Sequence, residues 1–323
     1  MDISLIIPVY NEAENLPALH TAIHEALKDL KQTWEIIFVD DGSTDTSLDV
    51  LKALAERDSD HVRVVALRRN FGQTAAIAAG IDNCTGDIVV LLDADLQNDP
   101  ADIPMMLQKL DEGYDVVSGW RFNRQDTFIT RTLPSRLANG LISWVTGVHL
   151  HDYGCTLKVY RREVLTGFRL YGEMHRFIPV YAHSVGAKIL EVKVHHHPRK
   201  YGQTKYGLER TIKVLLDLFT VKFLVTYAKK PIYLFGGTGM LLILGSGTLM
   251  LYLFIRRTLE HISVLGSPLF QLAVMFAIMG FQSILMGFIA ELLVRTYHES
   301  QRKPTYMVRH FINLQNPSDG RNA

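Results

Sequence analysis

Short apolar runs alternate with longer amphipathic stretches over the first third of the chain. The runs are ISLIIPV, EIIFV, VRVVAL, DIVVLL and DVVSG, at residues 3–9, 35–39, 62–67, 87–92 and 115–119. Near-continuous Val- and Ile-rich runs of this length are typical of strands that are covered on both faces. The pattern therefore predicts the strands of a mostly parallel sheet.

Helical patterns fill the intervals between these strands. The predicted helices span residues 14–31, 46–57, 73–83 and 101–112, and the second follows the cap-like segment 43–45. Regular alternation of strand and helix is typical of a doubly wound α/β domain, which binds ligands at the carboxyl ends of its strands. Any functional site is therefore expected at that edge of the sheet.

Two much longer apolar runs lie near the C-terminus. Residues 231–255 and 263–290 contain no Asp, Glu, Lys or Arg. Because a membrane-spanning helix needs about 20 apolar residues, these runs predict two transmembrane helices and make the lipid bilayer a partner. The first run is rich in glycine, which predicts close helix packing within or between chains. Its glycines are Gly236, Gly237, Gly239, Gly245 and Gly247.

Charge divides the chain into four predicted segments. Residues 1–206 are expected to form a cytosolic α/β domain, and residues 207–230 mix apolar and basic residues as an interfacial amphipathic helix does. Residues 231–295 are expected to form the two-helix membrane domain, and residues 296–323 a cytosolic C-terminal tail. Basic residues outside the two spans outnumber those in the loop between them, and the N-terminus lacks a signal-peptide pattern. We therefore expect a multi-pass protein of the inner (cytoplasmic) membrane, with both termini cytoplasmic.

Overall composition limits the function in two ways. Lys and Arg number 34 and Asp and Glu number 33, so no excess charge indicates nucleic-acid binding. The two cysteines of the chain, Cys84 and Cys155, form no metal-spaced pair, and so few cysteines disfavour a disulfide framework.

Carboxylates follow two of the predicted strands directly. Asp40 and Asp41 end the second strand, whereas Asp93 and Asp95 follow the fourth within LLDADLQNDP. Alternate residues of an extended chain point the same way, so Asp93 and Asp95 would repel each other unless a cation lies between them. A Mg²⁺ or Mn²⁺ ion carrying a diphosphate would supply that charge. Each pair alone is also compatible with a turn or a helix cap.

Glycine-rich phosphate loops are absent from the sequence. No G-x-G-x-x-G follows the first strand, and no G-x-x-x-x-G-K-[ST] occurs anywhere in the chain. A dinucleotide-binding fold or a P-loop is therefore disfavoured.

An ordered set of motifs extends over almost the whole chain and resembles one family. The motifs are LIIPVYNE (5–12), VDDGSTD (39–45), RNFGQ (69–73), LDADLQ (92–97), GWR (119–121), NRQD (123–126), DYGC (152–155) and YGQTKY (201–206). With these motifs the chain resembles the family 2 inverting glycosyltransferases of the GT-A fold, and more closely the polyisoprenyl-phosphate glycosyltransferases. The Q-x-x-R-W motif of processive synthases does not occur.

The resemblance implies a reaction and a set of partners. A sugar would pass with inversion from a nucleotide sugar, preferably a UDP-sugar with GDP left open, to a polyprenyl phosphate such as undecaprenyl phosphate. The product would serve cell-envelope glycan or lipopolysaccharide modification. The resemblance also implies Mg²⁺ or Mn²⁺ as cofactor and a homo-oligomer.

Residue roles follow from the same resemblance. The nucleotide-sugar positions are Pro8, Tyr10, Glu12, Asp40, Asp41, Asp93 and Ala94. Asp93 and Asp95 match the metal-binding motif, with Asp95 expected in direct contact. Arg121 and Asp152 are the other expected catalytic residues. Asp152 stands where inverting members usually carry a base, but a phosphate acceptor is already ionised near pH 7 and hardly needs one. The alternatives are that Asp152 orients the acceptor, takes its last proton, or stabilises positive charge developing at the anomeric carbon.

The acceptor phosphate needs cations near the site. The candidates besides Arg121 are Arg124, Arg131, Arg136, Arg176, Arg199 and Lys205. The tract His195-His196-His197 has the composition of a metal tract, but three adjacent residues of a strand cannot all face one ion. We interpret it as a strand that passes the site.

Two alternative functions stay open at this point. A glycosyltransferase acting on a non-phosphorylated lipid such as diacylglycerol would make Asp152 an obligatory base. A non-catalytic membrane scaffold that binds a nucleotide sugar would not need all the acids at positions 41, 93, 95 and 152.

Overall fold

The computed structural model describes residues 1–122, 139–140, 142–143, 146–165, 170, 174–198, 232–260, 266–300 and 305–314. The chain divides into two compact units. One comprises Met1–Val221 together with Pro304–Ala323, and the other comprises Lys222–Lys303.

Eight strands form one sheet in the described part of the first unit, in the order β7-β5-β6-β4-β1-β2-β3-β8. Their bounds are β1 Ile3–Val9, β2 Trp34–Asp40, β3 Val62–Leu67, β4 Ile88–Leu91, β5 Val116–Arg121, β6 Lys158–Arg161, β7 Ile189–Val194 and β8 Val308–Ile312. Strands β1 to β4 pair in parallel, whereas β6 and β8 are antiparallel to their neighbours. The predicted mostly parallel α/β sheet is confirmed.

Four of the described helices lie between the strands where the sequence pattern places them, and a fifth, Ile178–Ser184, was not predicted. Their bounds are α1 Leu16–Leu27, α2 Ser47–Arg57, α3 Gln73–Asn83, α4 Ile103–Asp111 and α5 Ile178–Ser184. Helix α1 ends four residues before the predicted position 31, and a short 3₁₀ turn at Pro100–Asp102 precedes α4. The side chains of Leu16, Leu19, Ile23 and Leu27 recur on the buried face of α1 and pack into the core.

The strand order reverses between β1 and β4, and this reversal locates the site. From β1 the chain proceeds through β2 to β3 on one side and then returns to β4 on the other. Neighbouring crossovers that diverge in this way open a crevice outside the carboxyl ends of the strands. Residues that follow β1 and β4 therefore line one cleft.

The segment expected to be a tail contributes to the sheet. Strand β8 pairs antiparallel with β3, with Val65 opposite Phe311. Asn313 donates hydrogen bonds to the carbonyls of Ala55 and Val62, at 2.8 and 3.0 Å, and Tyr306 donates to Asp82 at 2.8 Å. The chain thus returns to the first unit after the apolar helices, and β8 covers the edge of β3.

The second unit contains two long helices, α6 Ile232–Glu260 and α7 Pro268–Ser300. The stretches Phe235–Leu259 and Pro268–Ala290 are long and apolar enough to cross a membrane, with mean hydropathy 1.9 and 2.1. Helix α7 extends to Ser300, beyond the predicted end at 295. The side chains of Glu291 and Arg295, which lie four residues apart, are outside the described part of the structure.

Small residues bring the two helices together. A Cβ atom added to Gly239 would lie 2.6 Å from the carbonyl oxygen of Gly280, so neither residue tolerates a side chain there. Ser246 donates to the carbonyl of Ala273 at 2.7 Å. The predicted close packing is confirmed at Gly239, whereas Gly247 faces open space.

Candidate active site

The β2–α2 and β3–α3 loops are joined by Asp41. Each of its carboxylate oxygens accepts one backbone hydrogen bond, from Phe71 at 2.7 Å and from Gly72 at 2.8 Å. Burial raises the pKa of Asp41 to about 6, although these two hydrogen bonds favour its charged form. Asp41 therefore fixes the RNFGQ loop as well as lying at the expected donor site.

Asp40 is the last residue of β2 and is buried beside Asp41. Its Oδ1 accepts a hydrogen bond from the backbone of Ser43 at 3.2 Å, and burial raises its pKa. Gly42 makes the turn that follows, with a φ of +65°. A Cβ atom there would lie 2.4 Å from the backbone carbon of Arg69. Only glycine fits this turn, since both the dihedral angle and the neighbouring backbone exclude a side chain.

The loop after β1 is tied to the β2–α2 loop. Asn11, which has a φ of +54°, accepts a hydrogen bond from the backbone of Thr44 at 2.8 Å. The backbone of Glu12 donates to Ser47 at 2.9 Å, and the Glu12 carboxylate accepts from Asn15 at 2.7 Å. Tyr10 and Glu12 are half-buried at this edge. Pro8 lies near the carboxyl end of β1 and is paired with Val39 of β2.

The LDADLQ segment leaves β4 directly beside this loop. Asp93 accepts a hydrogen bond from Gln73 at 2.8 Å, whereas Asp95 is buried and accepts from the backbone of Gln97 at 3.1 Å. Ala94 between them is buried. Leu96 has a φ of +59°, which is unusual for a branched apolar residue and is typical of backbone held at a functional site.

Electrostatics at Asp93 indicate a site for a cation. Burial and the neighbouring Asp95 carboxylate both raise the pKa of Asp93, while Arg121 and Arg176 partly offset them. Two carboxylates one residue apart offer the hard oxygen ligands that Mg²⁺ and Mn²⁺ prefer. The residues present therefore fit a divalent cation.

Arg121 and Asp152 form a bidentate ion pair near the same edge. The Nε and Nη2 atoms of Arg121 donate to the Asp152 carboxylate at 2.7 and 2.9 Å. Burial opposes the charged form of Arg121, but attraction and hydrogen bonding to Asp152 outweigh it and raise the pKa of Arg121. The backbone of Gly154 donates to Asp152 at 3.0 Å. A carboxylate held in this way is a weak base, because its negative charge is already stabilised.

Gly154 allows two guanidinium groups to approach each other. A Cβ atom at Gly154 would lie 3.1 Å from Arg121 Nη2 and 3.4 Å from Arg176 Nη1. Both arginines also lower the pKa of Asp93 by their charge. Arg121, Arg176, Asp152 and Asp93 therefore belong to one electrostatic cluster, and positive charge lies next to the carboxylate pair.

Lys158 supports the loop that carries Asp152, and no sequence motif identified this residue. Its side chain is buried, and its ammonium donates to the carbonyl oxygens of Cys155 and, at 3.3 Å, of Tyr153. Burial lowers the pKa of Lys158. It lines a small cavity with His175 and Arg176. Lys158 thus holds the DYGC loop in place, and the four-residue strand KVYR that it begins gave no local signal of its burial.

The histidine tract begins after β7 rather than within it. His195 contacts Asp102 at 2.8 Å and His197 contacts Asp99 at 2.8 Å. His196 pairs with Asn98 in an isolated bridge. The tract therefore braces the segment that follows Asp95. The pairing with Asp102 raises the pKa of His195.

Several predicted residues lie outside the described part of the chain. They are Arg124, Arg131, Arg136, Arg199 and Lys205, together with the predicted interfacial helix at 207–230. Their roles remain predictions. Within the described residues, the structure brings together Asp93, Asp95, Arg121 and Asp152, and it places Pro8, Tyr10, Glu12, Asp40 and Asp41 along the neighbouring strand ends.

Comparison with known proteins identifies the family. Residues 4–168 match glycosyl transferase family 2. The chain is 40% identical over 318 residues to a dodecaprenyl-phosphate galacturonate synthase of Rhizobium johnstonii, covering 98% of this chain and 94% of the relative. It is 40% identical over 312 residues to an undecaprenyl-phosphate 4-deoxy-4-formamido-L-arabinose transferase of Enterobacter sp. strain 638, covering 96% and 94%. The chain belongs to glycosyl transferase family 2, as the motifs predicted.

Solved structures confirm the predicted GT-A fold. Glucosyl-3-phosphoglycerate synthase from Mycobacterium tuberculosis, in complex with Mn²⁺, uridine diphosphate and phosphoglyceric acid, matches with a TM-score of 0.52 and 20% identity, covering 68% of this chain and 78% of that one. The same enzyme with Mg²⁺ and uridine diphosphate matches with a TM-score of 0.52 and 20% identity, covering 68% and 79%. At this identity the likeness establishes the fold alone.

Proposed function

We propose that this protein transfers a sugar, with inversion, from a UDP-sugar to a polyprenyl phosphate, with a divalent cation bound at Asp93 and Asp95. The observation that carries the proposal is the cluster at the carboxyl edge of the sheet, where this acid pair lies in the field of Arg121 and Arg176. The names of the relatives, which act on dodecaprenyl and undecaprenyl phosphate, support the acceptor class.

The donor would lie along the ends of β1, β2 and β4. Tyr10, Glu12, Asp40 and Asp41 line the first two strand ends, and the segment from Asp93 to Asp95 follows β4. When bound, Mg²⁺ or Mn²⁺ supplies the charge that stabilises the leaving diphosphate. The buried Asp41 holds the Phe71–Gly72 loop and Asn11 holds the Thr44 loop, so the nucleotide pocket is organised before the donor arrives.

Asp152 would act as an orienting residue in this reaction. It is buried and already accepts two hydrogen bonds from Arg121, so it is poorly suited to remove a proton. A phosphate acceptor carries its negative charge near pH 7 and needs no strong base. We infer that Asp152 aims Arg121, and that Arg121 and Arg176 attract the acceptor phosphate.

The apolar helices would supply the membrane attachment that a lipid acceptor requires. Strand β8 follows α7 in the chain and pairs with β3, so both ends of the helical hairpin lead into one folded unit. A hairpin that spans the bilayer twice returns to the side on which it began. With the basic flanks of the sequence, this supports our proposal that the catalytic unit lies on the cytoplasmic side of the inner membrane.

One observation disfavours diacylglycerol as the acceptor. A hydroxyl acceptor must lose a proton to a base, and Asp152, the expected base, is occupied by Arg121.

The test is a transfer assay on the full chain in detergent. Undecaprenyl phosphate or diacylglycerol would be supplied with Mg²⁺ or Mn²⁺ and a panel of labelled UDP- and GDP-sugars, and Asp95→Asn would be the inactive comparison. We expect labelled undecaprenyl-phosphate sugar from one UDP-sugar, with inverted anomeric configuration by NMR. Product only on diacylglycerol, or product from Asp95→Asn at the normal rate, would overturn the proposal.

A further inference from the structure

A cluster of histidines lies at the opposite end of the sheet from the catalytic cleft. His20 and His24 stand one turn apart on α1, and Asp58 directly follows α2. The Nε2 atoms of both histidines contact the same oxygen of Asp58, Oδ2, at 2.9 and 2.7 Å. One nitrogen or oxygen atom from each of these three side chains lies within 4.8 Å of the other two.

An outer layer of residues orients this cluster. His61 Nδ1 contacts the other oxygen of Asp58, Oδ1, at 2.9 Å. Trp34, the first residue of β2, stacks on His61 with ring centroids 4.0 Å apart and meets His24 edge-on at 4.8 Å. A second imidazole on the free oxygen of a ligating carboxylate is a typical outer-shell arrangement around a metal ion.

Three separate elements are held in register at this point. The backbone of Val62 donates to the carbonyl of Asp58 at 2.9 Å, which closes the turn before β3. The backbone of Ile36 donates to the carbonyl of His61 at 2.8 Å. The turn that carries Asp58 and His61 is therefore fixed against β2 independently of any side-chain ligand.

We propose that His20, His24 and Asp58 form a second metal site, selective for a borderline divalent ion such as Zn²⁺. Imidazole nitrogens suit Zn²⁺, whereas the all-carboxylate pair at Asp93 and Asp95 suits Mg²⁺ or Mn²⁺. Tetrahedral ligation by two histidines and one carboxylate, with water in the fourth position, has bond lengths of about 2.1 Å and ligand separations of roughly 3.4 Å. The two contacts with Asp58 would need to lengthen from 2.9 and 2.7 Å to about 3.4 Å. His20 and His24 are partly exposed, with 19% and 35% of their side-chain surface accessible.

The ion would act as a clamp between α1 and the turn before β3. Helix α1 begins at Leu16, directly after Asn15. The side chain of Asn15 donates a hydrogen bond to Glu12, which lies in the loop after β1 at the expected nucleotide-sugar site. The start of α1 thus lies next to the loop after β1 at the catalytic edge, while its second and third turns carry His20 and His24. The site lies away from the reacting groups, so its role is to stabilise the fold rather than to supply chemistry.

The experiment is a Zn²⁺ titration of the full chain in detergent. The protein would carry an affinity tag without histidines and be treated with chelator first. The titration would use an Asp95→Asn background, which removes one carboxylate of the proposed catalytic metal site. Calorimetry, and metal analysis after desalting, should each give one Zn²⁺ per chain. The titration of Co²⁺ should produce the visible absorption bands of tetrahedral coordination.

Matched variants distinguish this site from adventitious binding. We expect His24→Ala and Asp58→Asn each to weaken Zn²⁺ binding by at least tenfold and to abolish the Zn²⁺-dependent rise in unfolding temperature. His183→Ala, which removes an exposed histidine from α5, should change neither. Because His24 is partly exposed, its variant should remain folded; if it does not, His20→Ala is the second variant. Less than one retained Zn²⁺ per chain, or equal affinity in Asp58→Asn, would overturn the proposal.

Discussion

The carboxylates compared at the two ends of the sheet differ in the groups that surround them. At the amino end, buried Glu35 accepts hydrogen bonds from Ser4 at 2.6 Å and from the hydroxyl and backbone of Thr85 at 2.8 and 2.9 Å. At the carboxyl end, Asp93 lies beside Asp95, and burial and that neighbouring charge both raise its pKa.

The contrast distinguishes acids whose charge is stabilised by local donors from an acid whose charge is opposed by its neighbour. Burial alone would raise the pKa of Asp58, but hydrogen bonds from His61, His20 and His24 outweigh it and hold the pKa below its usual range. An acid surrounded by local donors stabilises the fold in its charged form. Under the proposed function, a bound cation would offset the repulsion between Asp93 and Asp95.

The largest expected effect is at the carboxyl-end pair. Asp95→Asn should lower turnover by about a thousandfold or more, since metal-ion stabilisation of a transition state contributes several kcal/mol. Diphosphate release in the presence of undecaprenyl phosphate measures it. Asp49→Asn, at an exposed position on α2, is the matched control. An unchanged unfolding temperature with near-normal turnover in Asp95→Asn would remove the metal from the account.

The next effect concerns the Arg121–Asp152 pair. Asp152→Asn leaves a largely buried guanidinium without its partner, with 15% and 4% of the two side chains accessible, and we expect a loss of about 3 kcal/mol in the free energy of unfolding. Turnover should fall by about a hundredfold, because Arg121 loses its orientation.

A double-mutant cycle identifies the role of Asp152. If Asp152 only orients Arg121, the variant carrying both Asp152→Asn and Arg121→Lys should lose little more turnover than either single variant. Additive losses in turnover would instead favour Asp152 as an independent base.

A smaller effect is expected at Gly42, in the β2–α2 loop. Gly42→Ala combines a φ of +65° with a clash against the backbone of Arg69, so it should lower the free energy of unfolding by about 2–3 kcal/mol and weaken nucleotide binding. Gly113→Ala is the control, because Gly113 has a φ of +100° but open space around it. Equal destabilisation in the two variants would mean that dihedral strain alone matters at Gly42.

The smallest effect is expected at the amino end. Glu35→Gln removes a charged acceptor and should lower the free energy of unfolding by about 1–2 kcal/mol, measured by denaturant unfolding of the catalytic unit in detergent. Turnover of the folded protein should not change. A drop in turnover at constant stability would erase the contrast between the two ends.

Local patterns were sufficient for the first half of the fold. Strands β1 and β3 and helix α3 occur at the predicted residues because continuous apolar runs and helical periodicity are properties of the local sequence. Strands β6, β7 and β8 were not predicted, and the strand expected at the histidine tract ends at Val194, just before it. The four residues of β6 are too few to show a period, and β8 pairs with a strand more than 240 residues earlier in the chain.

The site was predicted in its acids and less well in their partners. Asp93 and Asp95 are separated only by Ala94, so their proximity follows from the local sequence. The Arg121–Asp152 pair joins residues 31 apart, and the burial of Lys158 depends on strand pairing that the local pattern does not contain. The hydrogen bonds that Asp41 accepts from the backbone of Phe71 and Gly72 likewise require the folded sheet.

Binding of uridine diphosphate with and without Mn²⁺ tests the central claim most directly. Calorimetry on the wild type, Asp95→Asn and Asp58→Asn would compare the acids at the two ends of the sheet. Mn²⁺ should strengthen binding at least tenfold in the wild type and in Asp58→Asn, and should have no effect in Asp95→Asn. Nucleotide binding that is independent of Mn²⁺ in the wild type, or equally Mn²⁺-dependent in Asp95→Asn, would contradict the account.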